Sequence, residues 1–192
     1  MAVSSAAVLC LGGCAASDNA NSGNSNVAIV TNTRAGNLNS NAANTNSAVT
    51  PEDHAFVIKA SMGGEGEVQL GQLAVKNAKS PDVKQFGQRM VDDHTKVGKE
   101  LQSLAGKKNL TAPTEVDSKT KGTLDRLSKL SGDAFDKAYM TEMVDEHEAD
   151  VAAFQRQSTS PGDKDLSSFA AKSLPTLEEH LQMAKSIAAK LK

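Results

Sequence analysis

In four separate stretches between residues 51 and 191, side chains suited to a buried face recur at steps of three or four. The first runs Phe56, Ala60, Gly63, Glu67, Leu70, Ala74, Ala78. The second runs Val83, Phe86, Met90, His94, Val97, Leu101, Leu104. The third runs Phe135, Tyr139, Met143, His147, Val151, Phe154, and the fourth Leu166, Ala170, Ser173, Leu177, His180, Ala184, Ile187, Leu191. A stripe of this period lies along one face of an α-helix and must be covered. Four such helices with short connections make a four-helix bundle, so the fold class is all-α. The expected helices run from about Pro51 to Lys79, Pro81 to Lys107, Asp133 to Gln157 and Pro161 to Leu191. A short extra helix lies at about Glu115 to Leu130, with Leu124, Leu127 and Leu130 to bury.

Local punctuation supports these boundaries. Thr50-Pro51-Glu52-Asp53, Ser80-Pro81-Asp82 and Ser160-Pro161-Gly162-Asp163 each offer a hydroxyl N-cap, Pro in the first turn and acids after it. The hydroxyl accepts an orphan N–H, and the acids suit the positive end of the helix. Gly63, Gly64, Gly66 and Gly71 crowd the first helix, where each costs about 1 kcal/mol against Ala. Their number predicts close approach by a neighbour, or room kept for something bound. Pro175 predicts a kink one turn before His180.

Each long helix carries one metal-competent residue on its buried stripe: Glu67, His94, His147 and His180. The second and third stretches share a near-repeat, Met90-Val91-Asp92-Asp93-His94 and Met143-Val144-Asp145-Glu146-His147. Facing helices of a bundle are where metal sites are built. Three imidazoles and a carboxylate suit a divalent ion such as Zn, Fe or Mn, and thioether sulfur from Met90, Met143 or Met183 would favour Cu. Asp93, Glu146 and Glu179 each precede a histidine by one residue, about 100° around the helix. They are placed to orient a histidine of a neighbouring helix. The other reading keeps the histidines as a neutral, hydrogen-bonded polar core that fixes the register of the bundle. It makes the domain a non-enzymatic interaction or stress module, whose protein partner the sequence does not name. Tyr139 shares the stripe of His147, and His54 lies off its own. The residues three before the histidines are Val91, Val144 and Leu177, so the Glu-x-x-His pairs of carboxylate-bridged di-iron bundles are absent.

Composition narrows the classes further. Net charge is −2 with both signs interspersed, which excludes a basic nucleic-acid face. Both cysteines, Cys10 and Cys14, lie near the N-terminus, so the remainder has neither disulfide nor thiolate chemistry. Residues 1–14 read as an export signal ending in a lipobox, Leu11-Gly12-Gly13-Cys14, with Cys14 as the lipidated residue, although no Lys or Arg precedes the apolar run. Ala15 after the cysteine directs the anchor to an outer membrane, facing the periplasm. Residues 15–50 are rich in Asn and Ser and read as a disordered tether, and residues 51–192 as the bundle.

Four runs together resemble a known family: Glu67 to Ala74; Val83 to Phe86 with Met90 to Thr95; Phe135 to Tyr139 with His147; and Leu174 to Leu181. Over about residues 52–188 the chain resembles the bacterial domain of unknown function 4142, placed in the ferritin-like superfamily. The resemblance implies an exported, envelope-anchored helical bundle. It implies no activity and carries over no catalytic residue.

Overall fold

The computed structural model describes residues 48–191, and the signal, Cys14 and most of the tether lie outside them. The chain folds as α1 (Pro51–Asn77), α2 (Pro81–Lys107), α3 (Ser118–Ser128), α4 (Gly132–Ser158) and α5 (Lys164–Lys190). The four long helices are each 27 residues. The described residues contain no strand. α1 packs chiefly on α2 and α4 chiefly on α5; α1–α4 and α2–α5 contacts close the bundle, and α3 lies against α1 and α4.

The expected caps hold in part. Thr50 and Asp53 form a full capping box: Asp53 N–H donates to Thr50 Oγ1 at 3.1 Å, and Thr50 N–H donates to Asp53 Oδ2 at 2.9 Å. At α2 the Ser80 hydroxyl makes no cap bond. The Asp136 carboxylate of α4 takes its place, accepting the N–H groups of Lys79 at 3.0 Å and Ser80 at 2.7 Å. α5 starts at Lys164 rather than Pro161, because Asp163 caps it by accepting from Asp165 and Leu166. Ser160 and Pro161 belong to the turn before it. α3 starts at Ser118 rather than Glu115, where Asp117 accepts from Thr120 at 2.7 Å. α5 runs on through Pro175.

The close approach expected of the α1 glycines occurs at two of them. A Cβ on Gly71 would stand 2.6 Å from the Gly87 carbonyl oxygen, and one on Gly87 would stand 2.8 Å from the Ala74 Cβ. These two residues let α1 and α2 touch backbone to backbone. Gly66 faces Thr120, which lets α3 cross α1.

The core is divided. One apolar cluster holds Leu70, Ala74, Phe86, Met90, Tyr139 and Met143 with others at one end of the bundle. The second holds Phe56, Leu101, Phe154, Leu166, Phe169 and Leu177 with others toward the opposite end. Along each long helix the two clusters are separated by the polar stripe residue: Glu67, His94, His147 or His180. The stripes therefore stack these residues at one level of the bundle, between two apolar plugs.

Candidate metal centre

All four stripe residues are buried, with 2% of Glu67, 5% of His94 and none of His147 or His180 exposed to solvent. One ring nitrogen from each histidine lies within 4.8 Å of the other two. Nitrogens about 2.0–2.1 Å from a shared tetrahedral ion stand about 3.4 Å apart, so modest side-chain movement closes the set. Glu67 reaches into the same layer. Its Oε2 is 2.9 Å from His94 Nδ1 and its Oε1 is 3.3 Å from His147 Nε2. Neither contact has hydrogen-bond alignment, and both carboxylate oxygens are without a partner.

The protonation pattern follows from the other sides of the rings. His147 Nδ1 lies 2.9 Å from the Met143 carbonyl oxygen, one turn back on α4. A carbonyl only accepts, so Nδ1 carries the hydrogen and Nε2 keeps its lone pair. That lone pair faces a carboxylate oxygen, and two acceptors at this distance require a proton or a cation between them. His180 Nε2 lies 2.9 Å from Asp93 Oδ2. Burial would raise the Asp93 carboxyl, but its bonds to His180 and Arg89 hold it below the usual range. It is ionised and accepts, which leaves His180 Nδ1 with the lone pair. Three buried imidazole nitrogens, His94 Nε2, His147 Nε2 and His180 Nδ1, have no hydrogen-bond partner.

Electrostatics agree with that pattern. Burial pushes His94 and His180 down to about 4, against the pull of nearby acids. Burial lowers His147 too, although Glu67 opposes it. All three rings are neutral at pH 7, the form that ligates a metal. Burial raises Glu67 to about 7, against the attraction of His147. Without an ion, a proton on Glu67 separates it from His147 Nε2.

Among the three acids that precede a histidine, only Asp93 orients one, and it does so across the α2–α5 interface. Arg89 holds Asp93 at 3.2 Å and Glu179 at 2.8 Å, so Glu179 is a surface partner of this relay. Glu146 pairs with Lys119 of α3. Met90 and Met143 pack in the apolar cluster, while Met183 Sδ accepts from Arg89 at 3.2 Å. Phe86 lies against the layer, with its ring centroid 6.2 Å from that of His147 and 6.5 Å from that of His180. The Tyr139 ring is wholly buried, its hydroxyl has no partner, and burial beside Glu67 pushes the phenol up. His54 is exposed on α1.

A family profile described as Domain of unknown function (DUF4142) matches residues 38–187. The chain belongs to this family. Among solved structures, the DUF4142 chain is similar to a DUF305 fragment from Deinococcus radiodurans at 10% sequence identity and a TM-score of 0.66. The match covers 74% of this chain and 99% of that one, and it concerns the fold alone. No curated protein matches the DUF4142 chain.

One acid beside the histidine layer is not among the residues that the sequence singles out. Asp150 is half-buried on α4 and lines a cavity of about 20 Å³ together with Glu67 and His94. Burial, with Glu67 nearby, raises its carboxyl to about 8. It lies three residues after His147, on the same face of the helix. That spacing is the sequence signal for it.

Proposed function

We propose that the domain is a divalent-metal-binding bundle of the cell envelope, with His94, His147 and His180 as nitrogen ligands and Glu67 as the oxygen ligand. The observation that carries this reading is the set of unpartnered atoms: three buried imidazole nitrogens and two buried carboxylate oxygens. Buried polar atoms in folded proteins are satisfied, and a cluster of this composition is satisfied by one cation. Asp93 and the Met143 carbonyl hold two of the rings by their far nitrogens, the usual support for metal-ligating histidines. Three neutral nitrogens and one oxygen suit Zn, Fe, Mn or Cu. Neutral histidines and a carboxylate that gives up its proton to the ion, in a buried layer, favour storage, buffering or sensing of the ion. The envelope location rests on the apolar run ending at Cys14, whose acylation would anchor the chain to a membrane.

A second reading has its own support. The bonds from His180 to Asp93 and from His147 to Met143 also suit a polar layer that fixes helix register. In that reading the domain is an envelope interaction module with structural histidines.

Thermal unfolding separates the two. Zn²⁺ at a hundred times its dissociation constant adds about 2.7 kcal/mol if it binds only the folded state. We expect that gain in the native chain and its loss in His94→Ala/His147→Ala. An unchanged Tm in the native chain across the divalent series Zn²⁺, Mn²⁺, Fe²⁺ and Cu²⁺ would favour the structural layer.

A further inference from the structure

A centre buried between two apolar plugs needs a route for its ion, and the bundle has an opening on one side. A surface pocket of about 180 Å³ lies between α1, α2 and the α2–α3 connection, where Pro113 and Thr114 form part of its wall. Gly64, His94 and Gly98 line this pocket, and the same three residues line the inner cavity beside Glu67 and Asp150. The pocket and the cavity thus meet across one histidine and two glycines. Ser61, 8% exposed, also lines the pocket, and its hydroxyl has no partner.

Packing does not account for these two glycines. A Cβ on Gly71 or Gly87 would collide with backbone, but one on Gly98 would meet nothing within 4 Å. One on Gly64 would meet only His94 Nδ1, at 3.9 Å, an ordinary contact. Each glycine nevertheless costs its helix about 1 kcal/mol against Ala. What their missing side chains preserve is open space next to His94.

We propose that this pocket is the port through which a hydrated divalent cation reaches the histidine layer, and that Gly64 and Gly98 keep it open. The proposal rests on the metal reading above. The unpartnered Ser61 hydroxyl offers an oxygen to a cation that is shedding water. His94, which floors the pocket, is the first ligand met, and the carboxylates of Glu67 and Asp150 lie behind it.

A port governs rates and leaves the equilibrium unchanged. The full chain is mixed with Co²⁺, whose visible d–d absorption reports ligation, and the ion is then withdrawn with excess EDTA. Gly98→Leu should slow uptake and release alike by about tenfold, a barrier raised by about 1.4 kcal/mol, and leave the dissociation constant within about threefold. Gly106→Leu, on the same helix with open space around its Cβ and away from the pocket, should change neither rate. Gly64→Ala, the milder variant, should slow both rates in the same proportion. Unchanged rates in Gly98→Leu and Gly64→Ala with Co²⁺ bound would overturn the port alone, as would slowed uptake without slowed release. Absence of Co²⁺ binding in the native chain would overturn the metal reading and the port with it.

Discussion

Asp53→Ala lowers the unfolding free energy by about 3–5 kcal/mol, the scale for stripping a buried ionised group from its partners. Asp53 is wholly buried at the end of the bundle remote from α3. Its carboxylate accepts from Thr50 N–H at 2.9 Å, the Thr50 hydroxyl at 3.0 Å, Gln157 Nε2 at 2.7 Å and Asp163 N–H at 2.9 Å. One side chain therefore joins the start of α1, the end of α4 and the start of α5. Asp163 extends the connection to the end of α2 by accepting from Lys108 Nζ at 2.7 Å. Alanine would leave the Asp163 N–H and the Gln157 amide without acceptors, each a desolvation cost of about 1–3 kcal/mol. Gly162 completes the arrangement, because a Cβ there would stand 2.3 Å from Asp53 Oδ2. Burial alone would raise the carboxyl, but these bonds hold it below its ordinary value of 3.8. Its stabilisation is therefore present above that value and lost as pH falls through the folded value. Urea denaturation at neutral pH measures the loss. A change under about 1 kcal/mol would show that the hub does not close that end.

Glu67→Gln has two effects of opposite sign, and together they separate a ligand from a structural acid. In the metal-free protein burial raises Glu67 from 4.5 to about 7, so the folded state binds its proton more tightly than the unfolded state. That contribution is complete below the unfolded value and lost as pH rises through about 7. At 1.36 kcal/mol per unit it amounts to about 3 kcal/mol. Asp150, raised to about 8, acts in the same direction. His94 and His180, lowered to about 4, act in the opposite direction as pH falls from their ordinary 6.5. The metal-free native chain should thus lose stability between pH 6 and 8.5, and Glu67→Gln should lose about 1 kcal/mol less over that interval, the rest of the Glu67 contribution falling between pH 4.5 and 6. The same variant should bind Zn²⁺ at least about tenfold more weakly, and the native affinity should rise with pH up to about 7 as the Glu67 proton is displaced. Paired urea melts and competition titrations at the two pH values test both halves. Equal pH slopes in the two proteins, or undiminished affinity in the variant, would contradict the role given to Glu67.

The sequence made the polar layer legible because helical period and residue type agree. Glu67, His94, His147 and His180 each fall on a stripe whose other members, Ser173 apart, are almost all apolar, and such a stripe can face only the bundle interior. The α1–α2 contact was legible in outline from the density of glycine, although the pairing of Gly71 with Gly87 required the three-dimensional register. What the sequence hid is long-range. Asp136 caps α2 from 56 residues away in place of Ser80, and Asp163 displaces Ser160 as the α5 cap because Asp53 and Lys108 fix its position. No local pattern of hydroxyl, proline and acid reports such partners. For the same reason Asp93 was distinguishable from Glu146 and Glu179 only once α5 lay beside α2.

Metal content decides whether the four-residue layer holds an ion. The full chain, purified without an affinity metal and then reconstituted, is analysed by elemental mass spectrometry beside His94→Ala/His147→Ala. About one divalent ion per native chain is expected, and none in the double variant. A native chain that remains metal-free after reconstitution, or a double variant that retains the same ion, would contradict it.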